Sequence, residues 1–196
     1  MPPAGRPRTF NRDEALKKAM YIFWEKGYEG TSMTDLIGSI GMKAPSIYAA
    51  FGNKDELFRE VVSHYLPIIL NGQLAILNDT PGIIDAVEKT LCECVRLFTC
   101  DDNPHTCLIM TAAINASPEH QEHVESLKSL RKFYKETWVK RFERAAEERQ
   151  LKEDLIAKEI AEYFVTVIQG MALSAKDGAS KEDLAKTSKI AINILK

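Results

Sequence analysis

Residues 41–58 read GMKAPSIYAAFGNKDELF. Inside a helix a proline costs about 3 kcal/mol, because it removes a donor and clashes with the preceding turn. In the first turn the amides have no intrahelical acceptor, so the same residue is tolerated and presets φ. Pro45 therefore places a helix start near Lys43 or Ala44. Ile47 and Phe51, four apart, share the face that packs inward. Lys43, Ala44, Pro45, Ser46, Tyr48 and Ala49 occupy the other faces, and little of their bulk projects. Asn53, with Glu56 three residues on, opens the next helix with capping-box spacing.

The residues before this stretch repeat the grammar. In TSMTDLIGSIG, from Thr31 to Gly41, Ser32 caps and Asp35 follows at the matching spacing. Met33, Leu36, Ile37 and Ile40 form the apolar side, and Gly41 suits the left-handed position that ends a helix. Further upstream Asn11 and Glu14 open a helix whose stripe is Leu16, Ala19, Met20 and Phe23, and Gly27 stops it. Two short helices joined by a glycine-centred turn make a helix-turn-helix. In that unit the N-terminal part of the second helix enters the major groove. Alanines suit a face that approaches DNA closely, since a methyl can meet a thymine methyl without a clash.

These residues carry a family resemblance. Thr31, Gly41, Ile47-Tyr48-Ala49-Ala50-Phe51 and Lys54-Asp55-Glu56-Leu57 resemble the N-terminal domain of TetR/AcrR-type transcriptional regulators. Beyond about residue 62 the likeness is one of length and helical pattern. The resemblance implies an all-α fold: a three-helix helix-turn-helix domain followed by a larger helical domain for effector binding and dimerisation. It implies that Thr31 and Ser32 bond phosphates, that Lys43, Ala44, Pro45, Ser46, Tyr48 and Ala49 line the groove-facing surface, and that Lys54 meets a phosphate at a helix N-terminus. Ala44-Pro45 stands where the family often has Lys-Gly, and Ala49 and Ala50 where it often has His. Polar base contacts are correspondingly fewer.

The chain has 196 residues, 45% hydrophobic and 28% charged, with a net charge of −2. That is the composition of an ordinary globular protein, long enough for a sizeable core. No apolar run reaches the roughly 18 residues of a spanning helix, and MPPAGRPRTF lacks the apolar segment of a signal peptide. A cytoplasmic protein with no membrane partner is expected. The first twelve residues hold Arg6, Arg8 and Arg12 and no acid. GRPR at 5–8 fits an arm whose Arg6 and Arg8 enter a narrow minor groove. The expected division is a basic arm over 1–9, the DNA-binding domain over 10–55 and the effector and dimerisation domain over 56–196.

From 53 onward every pattern is helical. Pro67 is expected to kink or break the helix that begins there. DTPG at 79–82 is turn chemistry, a helix follows over 83–99, and CDDNPH is a polar loop. Residues 106–116 are short and apolar, and SPEH at 117–120 starts a long helix reaching about Gln150. A last pair spans 154–176 and 181–195. Its apolar faces include Ile160, Phe164, Val167, Ile168 and Met171 on the first helix. Leu184, Ser188, Ala191, Ile192 and Leu195 lie on the second. The resemblance implies that these pair with a second copy as a four-helix bundle, giving a homodimer that reads two half-sites of double-stranded operator DNA.

A small-molecule effector pocket is expected within 83–171, with Phe98, Cys107, Met110, Trp138, Phe142, Tyr163 and Phe164 as candidate lining. The absence of a basic cluster there disfavours a highly anionic effector and leaves neutral, aromatic or cationic ones. Cys100 and Cys107 flank the polar loop and offer an alternative, a repressor that senses oxidants or electrophiles through thiols. His120 and His123 share a face without a third ligand, so a solvated helix start is expected rather than a metal site. No cofactor motif is present and no catalytic residues are assigned. A small cysteine enzyme, or a helical interaction module that does not bind DNA, is the remaining alternative.

Overall fold

The computed structural model describes residues 11–114 and 116–196, and the described residues are helical with no β-strand among them. Arg6 and Arg8 lie outside the described residues. The helices are α1 (Arg12–Gly30), α2 (Met33–Ile40), α3 (Ala44–Phe51), α4 (Lys54–Ile68), α5 (Ala75–Asp79), α6 (Ile83–Thr99), α7 (Leu108–Thr111), α8 (Gln121–Glu147), α9 (Ala157–Lys176) and α10 (Lys181–Ile192). Short 3-10 turns cover Pro118–His120 and Asn193–Leu195.

Side-chain capping sets many of the boundaries. Asn11 accepts from the amides of Asp13 and Glu14, and Ser32, Asn53 and Ser180 each form a reciprocal capping box. Two other ends are capped from far along the chain. Gln150 accepts from the Ile83 amide at 2.9 Å at the start of α6. The buried Arg141 donates to the carbonyls of Leu77, Thr80 and Pro81 around the end of α5.

Phe23, Leu36, Ile47, Leu57, Phe58 and Val61 are almost fully buried and bind α1 to α4 into one core. Gly27 interrupts α1 with φ 72° and ψ 175°. The next residue, Tyr28, donates its amide to the Ala112 carbonyl at 2.6 Å, joining this head to α7.

The expected break at Pro67 takes another form. The proline lies inside α4, and the following residues Ile69–Leu74 widen into a π-helix before α5 resumes the α-helical course. Pro67 has no N–H for the carbonyl four residues back and its ring crowds that turn. The helix nonetheless continues through that turn, and on its C-terminal side the wider π-helical turn carries the buried Ile69, Gln73 and Leu74.

The C-terminal core packs α8 against α9, and α6 against α9 and α10. Here an expectation is corrected. Ile160, Phe164, Ile168, Met171, Leu184, Ser188, Ala191, Ile192 and Leu195 are buried within the protomer and Val167 is half-buried, so they do not form a free face for a second copy. These helices carry apolar residues on two sides, and the denser stripe serves the protomer's own core. Tyr163, Leu173, Ile190 and Ile194 are the large apolar residues left exposed on α9 and the C-terminal segment.

Candidate nucleic-acid interface and ligand cleft

On α3, Ile47 and Phe51 are buried, while Lys43, Pro45, Ser46, Tyr48 and Ala49 are exposed and Ala44 is half-buried. Lys43 is the N-cap in extended conformation, and Pro45 is in the first turn. Gly41 ends α2 in the left-handed region with φ 75°, so the chain reverses in two residues and α3 starts at once. The outward face of α3 therefore offers a hydroxyl, a phenol, two methyl-sized surfaces and a lysine on a rigid support.

Arg12 fixes the end of this helix. Its guanidinium lies 4.7 Å from the centre of the Phe51 ring, donates to the Ala50 carbonyl at 3.3 Å and pairs with Glu60.

The two residues at the start of α2 differ. Ser32 is exposed, and its hydroxyl serves the capping box with Asp35, whose carboxylate is also held by Lys26 at 2.6 Å. Thr31 is 1% exposed, and its hydroxyl donates to the Gly27 carbonyl at 2.6 Å. A phosphate contact from the Thr31 hydroxyl is therefore corrected to a structural bond that closes α1, where Gly27 leaves a carbonyl without its helical partner.

Lys54 stands at the first position of α4, half-buried, with its ammonium 4.1 Å from the centre of the Tyr28 ring. Burial lowers its pKa, while Glu29 and Asp55 act in the opposite sense. A helix N-terminus and a cation here favour the same anion. The Tyr28 ring limits where that cation can sit.

Behind Lys54 lies a polar group that the sequence did not reveal. Asp55 accepts from the Tyr28 hydroxyl at 2.6 Å and from His123 Nε2 at 2.7 Å. Both bonds hold the Asp55 carboxyl below its usual range. His120 contacts Glu29 at 2.8 Å, and Glu29 also accepts from the Ser117 amide, which together bring the Glu29 pKa down to about 2. The expectation of a solvated helix start is corrected here: His123 is 3% exposed and packs on Tyr28 and Phe58. The sequence shows the residue types but not that 68 positions separate partners in one bond.

A cleft opens between the π-helical segment, α7 and α8. Leu66, Ile69, Leu70, Leu74, Ile109, Met110, Leu130 and Phe133 supply its apolar wall, with Gln73, Cys107, Arg131, Tyr134 and Gln169 completing it. Of the expected effector residues, Cys107 and Met110 lie on this wall. Phe98, Trp138, Phe142 and Phe164 are fully buried core, where Trp138 and Phe142 both stack near Phe164, and Tyr163 is exposed at 36%. Aromatic type alone cannot separate a cavity wall from an interior, which is why Gln73, Arg131 and Tyr134 were missed.

All four cysteines are free. Cys107 is buried, its sulfur lies 3.5 Å from the Tyr65 hydroxyl, and burial raises its pKa. Among the described residues there is no His, Cys, Asp and Glu grouping able to hold a metal, and no helix long and apolar enough to cross a membrane.

Comparison with known proteins matches this geometry. Residues 15–61 match the family model "Bacterial regulatory proteins, tetR family". The HTH-type transcriptional repressor ComR of Escherichia coli (strain K12) is 33% identical over 181 residues, covering 92% of this chain and 86% of the relative. The HTH-type transcriptional repressor BdcR of the same strain is 24% identical over 192 residues, covering 98% and 92%. A solved cysteine mutant of the TetR family transcriptional regulator CifR, complexed with 26-bp double-strand operator DNA, superposes with a TM-score of 0.90. It is 34% identical and covers 98% of this chain and 100% of that one. The chain belongs to the TetR family of bacterial regulatory proteins and is a DNA-binding transcriptional regulator, not an enzyme.

Proposed function

We propose that the protein is a dimeric repressor, acting in the cytoplasm, that leaves a pseudo-palindromic operator when a small molecule enters the cleft between the π-helical segment and α8. The observation that carries DNA binding is the outward face of α3, where Lys43, Pro45, Ser46, Tyr48 and Ala49 are exposed over a buried Ile47 and Phe51. Ser32 and Lys54 would meet backbone phosphates on either side, and Arg6 and Arg8 would follow the minor groove. The division into an arm over 1–9, a head over 10–55 and a ligand and dimer domain over 56–196 follows from these roles.

The second copy would dock on the apolar face that the protomer leaves open. Tyr163, Thr166, Gly170 and Leu173 recur at helical spacing on α9, with Ile190 on α10 and Ile194 just beyond it, and all are exposed. A dimer through this face is isologous and presents two α3 helices to successive grooves.

The route from cleft to DNA is short. Ile69, Leu70, Gln73 and Leu74 of the cleft wall belong to the π-helical segment that continues α4, and α4 begins at Lys54. A molecule that reshapes this segment moves α4 as a lever, while Asp55 and His123 hold its other end to α8. Operator and effector then weaken each other's binding by the same factor. Cys107 lies on the same wall, but its burial and raised pKa favour a non-covalent effector over thiol chemistry.

Selection of genomic fragments on the purified protein, followed by salt titration on the enriched site, tests the reading. A palindromic site whose affinity falls steeply with salt is expected. Absence of salt-sensitive binding to any duplex would leave only the interaction module.

A further inference from the structure

Gln73 is 2% exposed and forms part of the cleft wall. Its Oε1 accepts from the Tyr134 hydroxyl at 2.9 Å, which fixes the amide, and its Nε2 has no hydrogen-bond partner. A buried donor without an acceptor is uncommon in native interiors. In a wall made mostly of Leu, Ile, Met and Phe side chains, it is a buried donor that a bound molecule can satisfy.

The charges on the wall limit what that molecule can be. Arg131 lies one turn before Tyr134 on α8 and so faces the same side. It donates to the Ile109 carbonyl at 2.8 Å, and among the described residues no carboxylate forms an ion pair with it. No Asp or Glu lines the cleft. The wall therefore offers donors, from the Gln73 amide, the rest of the Arg131 guanidinium and the Cys107 thiol, with no anionic acceptor. An ammonium head would find only the neutral acceptors of Gln169 and Tyr134, no carboxylate, and would be repelled by Arg131. A head that only accepts would be matched.

We propose that this cleft takes a small, mainly apolar molecule whose polar head accepts hydrogen bonds and donates none, such as a carbonyl compound, with Gln73 Nε2 donating to that head. The proposal rests on reading the cleft as the effector site and names the chemical class of its ligand. The cavity of about 30 Å³ has room for about one water. The molecule must open it, and Leu70 and Phe133, 40% and 50% exposed, can swing aside at the mouth. Met110 adapts to the shape that enters.

Calorimetric titration of the full chain with 2-octanone and with octylamine tests this, together with fluorescence anisotropy on operator DNA. The ketone is expected to bind and the amine not. Gln73→Met keeps the length and removes the donor, and should weaken ketone binding about fivefold. Gln73→Glu replaces the donor by a carboxylate and should exchange the preference, admitting the amine and rejecting the ketone. Equal binding of both probes to the native chain, undiminished ketone binding to Gln73→Met, or no binding of either probe overturns the proposal. Ketone binding that depends on Gln73 but leaves the operator bound upholds the ligand class and overturns the effector reading of the cleft.

Discussion

Ile47 and Tyr48 are adjacent in the chain and opposite in consequence. Ile47 is fully buried and Tyr48 is 49% exposed. Ile47→Ala should destabilise the fold by about 2–5 kcal/mol, the range for a buried truncation of this size. Tyr48→Ala should leave stability within about 0.5 kcal/mol and weaken operator binding about tenfold, if the phenol lines the groove-facing surface as proposed. Urea unfolding and anisotropy titration separate the two, and a Tyr48→Ala protein with unaltered affinity would remove the residue from the interface. Asp55 makes a different prediction. Asp55 and Glu29 both ionise more readily folded than unfolded, so their stabilisation is full above the unfolded pKa and disappears as pH falls through the folded one. For Glu29 that window runs from 4.5 down to about 2. Asp55→Asn should lower stability at neutral pH by about 1–2 kcal/mol and flatten the acid limb of a stability profile.

Gly27 decides how the first helix joins the rest. Its backbone, with φ 72° and ψ 175°, lies in a region almost confined to glycine, and an added Cβ would stand 3.1 Å from the Ala112 carbonyl oxygen. Gly27→Ala should destabilise by about 1–3 kcal/mol. Denaturant midpoints check it, and a variant as stable as the parent would show that α1 and α7 can part without penalty. The π-helical segment illustrates the opposite case. Pro67 predicted an interruption, but the form it took depends on Ile69 and Leu74 finding buried sites beyond the proline.

At the scale of the whole molecule, the proposed dimer face gives the sharpest contrast. Ile190 is 71% exposed and Ile192, two residues on, is 3% exposed. Ile190→Asp should keep the helical content and raise the dimer dissociation constant by about 30-fold or more, as loss of an interface anchor does. Ile192→Asp should unfold the C-terminal core instead, because a charge would be buried without a partner. Sedimentation equilibrium and circular dichroism distinguish these outcomes. An Ile190→Asp protein that remains a tight dimer would move the interface elsewhere.

Local rules in the chain determined much of this protein. Capping residues and the first-turn proline marked the helices of the head, and the spacing of Ile47 and Phe51 showed which side of α3 is free. Those effects act over three or four residues, so one sequence is enough to read them. What remained was settled by contacts between distant segments. Thr31 turns inward because Gly27 exposes a carbonyl above it, and His123 is buried because Asp55 and Tyr28 meet it there. The apolar stripes of α9 and α10 could serve a protomer or a pair, and only the packing of α6 and α8 against them chose. Periodicity tells that a face is apolar, but which apolar faces meet follows from how the whole set of helices shares the available interior.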